Sequence, residues 1–466
     1  MRLANATPAF VVAVLVAVAL ASTGDSAISP DASWTSFGHD AQIDAFTPAA
    51  AYTASVKGFK IAWQAALDGG IVASPVAAPV AGQGLVVFAA TTTGNAYALK
   101  PDGAVLWHRS LGTVSANGNC GTYGVDSTGA IDTKRSLFYV VGATGMLHAL
   151  RLSDGSEAPG WPIQAVTRRR TEYVWGGLRL ADSRLYVPVA SYCDAPDRRG
   201  TPAEGRLLAY DVDNPSAPPA VYDPVPGADN LGGIWGWGGV SLTFAGTELY
   251  TGIGNASPDV DDGSSDSMVE LTPDLSEVVA SDRPSSAAPG EDTDLGAAPV
   301  LFHPRGCPAL LAANSKSGEL LVWRQDGLTR GSFARIPLSD GVSAFVGAPS
   351  WSPRTLMLYD AGATALRSGK RLVGTIALKI TTPCGFEQRW FLATGTGAQP
   401  EPLVAGDLVA STGGFGGGFV VARASSGVVV WRFPTSSATL SPLIEAGGEL
   451  IAGDMDGHLY AFRPRL

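Results

Sequence analysis

No Cys-x-x-Cys and no Cys-x-x-Cys-His occurs in the 466 residues, so zinc-ribbon, thioredoxin-like and covalent c-type haem chemistry are excluded at the level of motif. A Gly-x-Ser-x-Gly elbow and a phosphate-cradling glycine loop are missing as well. The five histidines, His39, His108, His148, His303 and His458, are scattered without ligand spacing. Neither zinc nor haem is therefore expected. Charge is sparse: only 16% of residues are charged, and the formal net charge of -10 argues against a nucleic-acid or anionic-membrane surface. There is no long amphipathic run at period 3.6, which removes helical bundles.

Glycine and proline are plentiful instead, at 57 and 32 residues, and 45% of the chain is hydrophobic. That composition belongs to many short strands joined by turns. A phrase recurs along it: a Pro-Val-like strand start, an apolar strand, Gly, an apolar-aromatic run, Asp-Gly and a Trp. It is clearest in Ser74-Pro75-Val76, Gly94-Asn95-Ala96-Tyr97-Ala98-Leu99 and Asp102-Gly103-Ala104-Val105-Leu106-Trp107, and again in Ser441-Pro442-Leu443 with Asp456-Gly457-His458-Leu459-Tyr460-Ala461-Phe462. The strand start returns at Ser127-Thr128-Gly129, Trp175-Gly176-Gly177, Gly238-Gly239-Val240, Ala298-Pro299-Val300, Ala348-Pro349 and Glu401-Pro402. Intervals of roughly 40 to 60 residues are propeller-blade spacing. Eight units predict an all-β, eight-bladed β-propeller of four-stranded antiparallel blades, with seven blades as the alternative. The last copy lacks its closing Trp strand, and Lys60-Ile61-Ala62-Trp63 reads as an orphan one. The two are expected to share a blade, closing the ring and protecting its sheet edges.

Arg2 precedes the apolar run 9–20, and small residues at Ala19 and Ala21, or at Asp25 and Ala27, supply a cleavage site. The expectation is a signal peptide over 1–27, an N-terminal extension over 28–58 and a single propeller over 59–466. No second apolar stretch approaches that length, so a secreted or extracytoplasmic protein without a membrane span is expected. Cys120, Cys193, Cys307 and Cys384 fit an oxidising compartment. Their order favours Cys120 with Cys193 and Cys307 with Cys384, each joining neighbouring blades, among three connectivities.

These repeats, the opening Trp34-Thr35-Ser36-Phe37-Gly38-His39-Asp40 and the Ser-Pro strand starts resemble the pyrroloquinoline quinone (PQQ) repeat propellers. That family includes quinoprotein alcohol dehydrogenases and the non-enzymatic scaffold propeller of outer-membrane assembly. Trp235-Gly236-Trp237 followed by Tyr250-Thr251-Gly252-Ile253-Gly254-Asn255 is similar to the dehydrogenases' cofactor segment. The resemblance implies Trp235 or Trp237 as the floor under a flat quinone, and Asn255 as a calcium ligand. Aromatic faces stack on planar rings, and amide oxygens suit hard cations. Gly290-Glu291-Asp292-Thr293-Asp294 resembles the segment whose first Asp is the catalytic base, which implies Asp292, although Thr293 stands where the family has Trp. Gly205-Arg206-Leu207-Leu208-Ala209-Tyr210-Asp211 matches the strand after the calcium-binding acid, and that acid would be Asp194 or Glu204. The family's adjacent cysteine pair is absent.

Two weaker features complete the inventory. The acidic stretch Asp259 to Asp266 lacks calcium-loop spacing and reads as a solvated loop. Arg168-Arg169-Arg170 ahead of Tyr173-Val174-Trp175 presents guanidinium forks that pair with carboxylates, either on a ligand or simply in solvent. Two functions stand at this point. One is an exported scaffold binding an unknown protein or small molecule, which the missing cysteine pair favours. The other is a calcium- and PQQ-dependent alcohol or sugar dehydrogenase.

Overall fold

The computed structural model describes residues 32–118, 120–227, 231–257, 263–284, 293, 295–296, 298–339 and 347–466. The stretch read as a signal peptide and the candidate base Asp292 lie outside these residues, as does most of the acidic run from Asp259. Eight antiparallel sheets follow one another, and in all but the last the blade strands run in sequence order from the axis outwards. The first blade comprises Val76–Val80, Gly84–Ala90, Asn95–Leu99 and Val105–Ser110. The innermost strands of the next seven open at Ala130, Arg179, Ser241, Val300, Ser350, Leu403 and Ile444. All eight lie within a few residues of the repeat's strand-start signals, because that signal is turn chemistry and local to each blade. Among the described residues, no helix is long and apolar enough to cross a membrane.

The eighth blade is built from both ends of the chain. Gly58–Ala66 pairs antiparallel with His458–Arg465, placing Lys60 opposite Arg463 and Ala65 opposite Leu459. Trp63 on that strand donates its indole N–H to Glu449 at 3.0 Å.

Residues 34–47 do something the repeat does not announce: they circle the axis and meet the inner strand of each blade in turn. Ala77 donates its amide N–H to Trp34 O, and Ile131 to Thr35 O. The Arg179 guanidinium reaches Phe37 O and Asp40 O in the third blade, at 2.7 and 2.6 Å. Leu242, Leu301, Trp351 and Val404 then donate to the carbonyls of Ala41, Gln42, Asp44 and Ala45. Phe46–Thr47 ends as a parallel strand on the seventh blade, and Thr47 Oγ1 donates to Glu445 of the eighth at 3.3 Å. Innermost strands carry an unpaired edge, and this segment supplies partners for it.

Between blades the contacts are apolar. Phe88 of the first blade packs on Phe138 of the second, with centroids 5.3 Å apart, in a cluster with Val76, Ile131 and Leu150. Each such side chain contributes about 1.5–3 kcal/mol on burial. The outer-strand tryptophan reaches forward to the next blade: Trp107 lies over Gly155 and donates its indole N–H to Leu152 O at 2.9 Å. A Cβ on Gly155 would stand 2.7 Å from that ring. The same contact recurs between Trp63 and Gly103 and between Trp390 and Gly427, which explains why Asp-Gly or Ser-Gly precedes the outer strand in the repeat.

Both disulfides form the pairs favoured from their order. Cys307–Cys384 joins the fifth blade to the sixth, with Cα atoms 5.7 Å apart. Cys120–Cys193 departs from the expectation that each links neighbouring blades. It ties the connection between blades one and two to a loop of blade three, because Val114–Ser115 and Thr122–Tyr123 form an extra hairpin that leans across.

Gly155 and Gly82 both have positive φ, at 66° and 72°, but a Cβ at Gly82 meets nothing within 4 Å. Backbone strain is thus shared and only the Trp107 contact differs. Gly155→Ala is expected to lose about 1–3 kcal/mol more than Gly82→Ala, measured as the difference in stability by urea denaturation.

Candidate functional site

The ends of the second strands in three successive blades converge on one cleft of about 190 Å3. Blade three brings Ser191, Cys193 and Asp194, blade four Gly254 and Asn255, and blade five Lys316. Tyr173, Trp175 and Trp235, from the segments leading into the inner strands of blades three and four, complete the wall. Strand ends place these groups well because the sheet behind them is rigid.

Of the two floor candidates, Trp235 lines the cleft, whereas Trp237 is buried beneath it and packs edge-on against Trp175 at 5.2 Å. Trp237 rests in turn on Phe37 and Ile43 of the circling segment. The Trp-Gly-Trp phrase therefore gives one ring to the cleft and one to its foundation. Gly296 lies against the Trp235 ring, where a Cβ would come within 2.5 Å. The Lys316 ammonium sits 4.3 Å above the Trp235 centroid, which brings a positive charge to the aromatic face.

Asn255 and Asp194 share this cleft. The Asn255 amide nitrogen donates to Ala256 O at 3.3 Å, which leaves its oxygen as the acceptor. Asp194 accepts from Ser191 Oγ. Cys193 and Asp194 both hold left-handed backbone, at φ 54° and 52°, a costly pair beside the crosslink to Cys120. Glu204, the other acid considered for calcium, is not among the lining residues. It pairs with Arg206 at 3.2 Å.

Glu172 was missed in the sequence. It is fully buried, with Arg168 Nε at 2.7 Å, Arg206 Nη2 at 2.9 Å and the Glu204 amide at 3.2 Å. Its oxygens hold the blade-three loop in place. Arg168 is thereby engaged by the loop, and it also lines a separate basin with Arg169, Arg170, Arg198 and Arg199. Trp175 and Lys316 were also missed. The signal for Lys316 lay in repeat register, since Asn314-Ser315-Lys316 closes its second strand as Gly254-Asn255 follows the equivalent strand one blade earlier.

A planar, multiply anionic ligand with a hard cation fits these residues. The donors of the cleft's blade-three and blade-four loops are all oxygen: the Asp194 carboxylate, the Asn255 amide oxygen and the Ser191 hydroxyl. Trp175 Nε1 is buried and has no hydrogen-bond partner, a state that a ligand oxygen would relieve. Lys316 supplies the matching charge.

Beside the cleft, Tyr123, Tyr173 and Tyr192 form a stacked and edge-on cluster with centroids 4.6–5.3 Å apart. Burial pushes the neighbouring Asp126 carboxyl up from 3.8 to about 6, and its Oδ1 is unpartnered. The folded state therefore holds this proton more tightly than the unfolded chain does. Stability is lost as pH rises from about 4 to about 6 and stays lost above. Asp126→Asn should escape that loss, so denaturation midpoints measured at pH 4 and pH 7 should show the variant gaining on the parent at the higher pH.

No protein-family model and no curated protein sequence matches the chain. Solved structures do. The quinohemoprotein alcohol dehydrogenase ADHIIG from Pseudomonas putida HK5 superposes with a TM-score of 0.72 at 15% identity, covering 93% of this chain and 80% of that one. A europium-containing methanol dehydrogenase gives 0.70 at 14%, covering 93% and 98%. BamB from Moraxella catarrhalis gives 0.57 at 15%, covering 87% and 97%. At such identities the shared property is the propeller fold.

Proposed function

We propose that this propeller is a calcium-dependent quinoprotein oxidoreductase acting on alcohols or sugars, with PQQ held in the cleft of blades three to five. The observation that carries the reading is the convergence of Trp235, Asn255, Asp194 and Lys316 on one cavity. Two of the fold's neighbours described above are dehydrogenases of an alcohol or of methanol by name. In this reading Trp235 supports the flat ring from one side. Asp194 and Asn255 offer oxygens to the calcium ion, and the Lys316 ammonium and the Trp175 N–H bind the ligand's anionic oxygens. The bound quinone supplies the hydride acceptor. Asp292 takes the hydroxyl proton as general base. It is assigned by resemblance alone and lies outside the described residues.

An extracytoplasmic location accords with the two disulfides and with a leader over 1–27. The competing function is a protein-binding scaffold, a reading that the BamB likeness keeps in view. It makes the opposite prediction about cofactor.

Titration of the protein with PQQ and calcium should quench tryptophan fluorescence with a micromolar or tighter midpoint, and dye reduction should follow with alcohols or sugars. Trp235→Ala should abolish the quenching, and Asn255→Ala should raise the calcium midpoint at least tenfold. Asp292→Ala should bind quinone normally and not turn over. Absence of binding at micromolar quinone would leave the scaffold as the function.

A further inference from the structure

A second group of ligating side chains lies at the hub, away from the cleft. Gly38 adopts φ 67°, and a Cβ there would meet Ile43 at 2.3 Å. The chain thus doubles back at this point, and Ala45 donates its amide N–H to Gly38 O at 3.1 Å. The tight loop stacks residues 39 and 40 on 44. His39, Asp40 and Asp44, all half-buried, each place a ligand atom within 4.8 Å of the other two. Around a bound ion, first-shell atoms at about 2.0–2.2 Å from the metal lie about 3–4 Å apart, so little movement separates this arrangement from coordination.

A further carboxylate points to what is missing from this cluster. Glu401 is 2% exposed, and its Oε2 has no hydrogen-bond partner. Val404 pairs with Phe46, and Glu401, three residues before Val404, lies near enough for the Asp40 and Asp44 carboxylates to act on it electrostatically. Three carboxylates therefore gather here. The nearby fixed cation is Arg179, whose hydrogen bonds run to Ser36 Oγ, Phe37 O and Asp40 O, a hydroxyl and two carbonyls. Asp40 and Asp44 use their Oδ1 atoms for the loop amides of Gln42 and Phe46.

Among the described residues one guanidinium faces three carboxylates, one of them fully buried and two half-buried, an excess of two negative charges that favours a counter-charge. Either two protons or one divalent cation can supply the balance. Protonation would account for the charge but would leave three ligand atoms facing one point.

We propose that the propeller hub binds one divalent cation through His39, Asp40 and Asp44, with Glu401 completing its anionic surroundings. A set of one imidazole and carboxylates favours the borderline ion Zn2+, or the harder Mn2+, over Ca2+, which prefers oxygen throughout. The ion pins the circling segment at its tightest bend, and its role is independent of whether a quinone binds.

The test uses the full mature chain after exhaustive EDTA treatment, titrated with Zn2+ or Mn2+ at pH 7 by calorimetry and thermal denaturation, with Ca2+ as comparison. The expected result is one ion per chain and a rise in Tm. His39→Gln, which leaves the carboxylates intact, should weaken binding at least tenfold, and Asp44→Asn should abolish it. Asn255→Ala, in the cleft, should leave the rise in place, so that failure here and failure of the quinone reading are told apart. Should neither metal bind, or should both hub variants keep the full effect, the site does not exist. Stabilisation of the EDTA-treated protein by Asp44→Asn at pH 7, with no response of the parent to either metal, would assign the charge balance to protons and overturn the proposal.

Discussion

Eight blades meet at an axis where none can satisfy its own innermost edge, and one stretch of backbone serves them in turn. The carbonyls of Trp34, Thr35, Ala41, Gln42, Asp44 and Ala45 each accept from a different blade, Arg179 carries the bonds for the third blade, and Thr47 Oγ1 donates to Glu445 of the eighth. This arrangement orders the blades by chain position, because the segment advances by a residue or a few as the ring advances by one blade. It also fills the axis with Phe37 and Ile43, the base on which Trp237, and through it Trp175 and Trp235, are set. The cleft inherits its geometry from that support. A change in the packing at Phe37 would be transmitted through rings in contact.

Within the cleft, function and stability divide along the loop of blade three. Glu172, Arg168 and Arg206 are engaged with one another, and the Cys120–Cys193 bridge anchors the adjoining turn. This costly scaffold holds Asp194 in a conformation its backbone would otherwise avoid. The result is a rigid frame around a few polar groups, the arrangement by which binding sites limit the entropy lost when a ligand arrives.

The blade starts were legible because each is announced by local residues such as Ser74-Pro75 or Ala348-Pro349, whose turn preferences act over a few positions. The shared last blade was legible from an orphan Trp63 strand at one end and a missing strand at the other. Trp235, Asn255 and Asp194 were suggested by resemblance, and the structure brings those three to one cavity. What could not be read was set by ring closure. Repeat register marks Lys316 as a strand-end residue but not as a neighbour of Trp235, since their meeting depends on the angle between two blades. The choice between Trp235 and Trp237 was equally hidden, as alternate residues of one phrase face opposite ways. His39, Asp40 and Asp44 carry no metal-ligand spacing. Only a bend forced at Gly38 gathers them.

The closing strand has a consequence for the order of events in the life of the chain. Gly58–Ala66 is among the first strands to be synthesised, yet its partner, His458–Arg465, is the last; Thr47 and Glu445, which also meet, are 398 residues apart. Until His458–Arg465 is available the ring must remain an open arc with two raw edges, and the segment at the axis has an incomplete set of blades to bind. Contacts of such long range are slow to form. A ring joined in this way closes late, and throughout the interval between synthesis of Gly58–Ala66 and of His458–Arg465 its two edges stay unlatched.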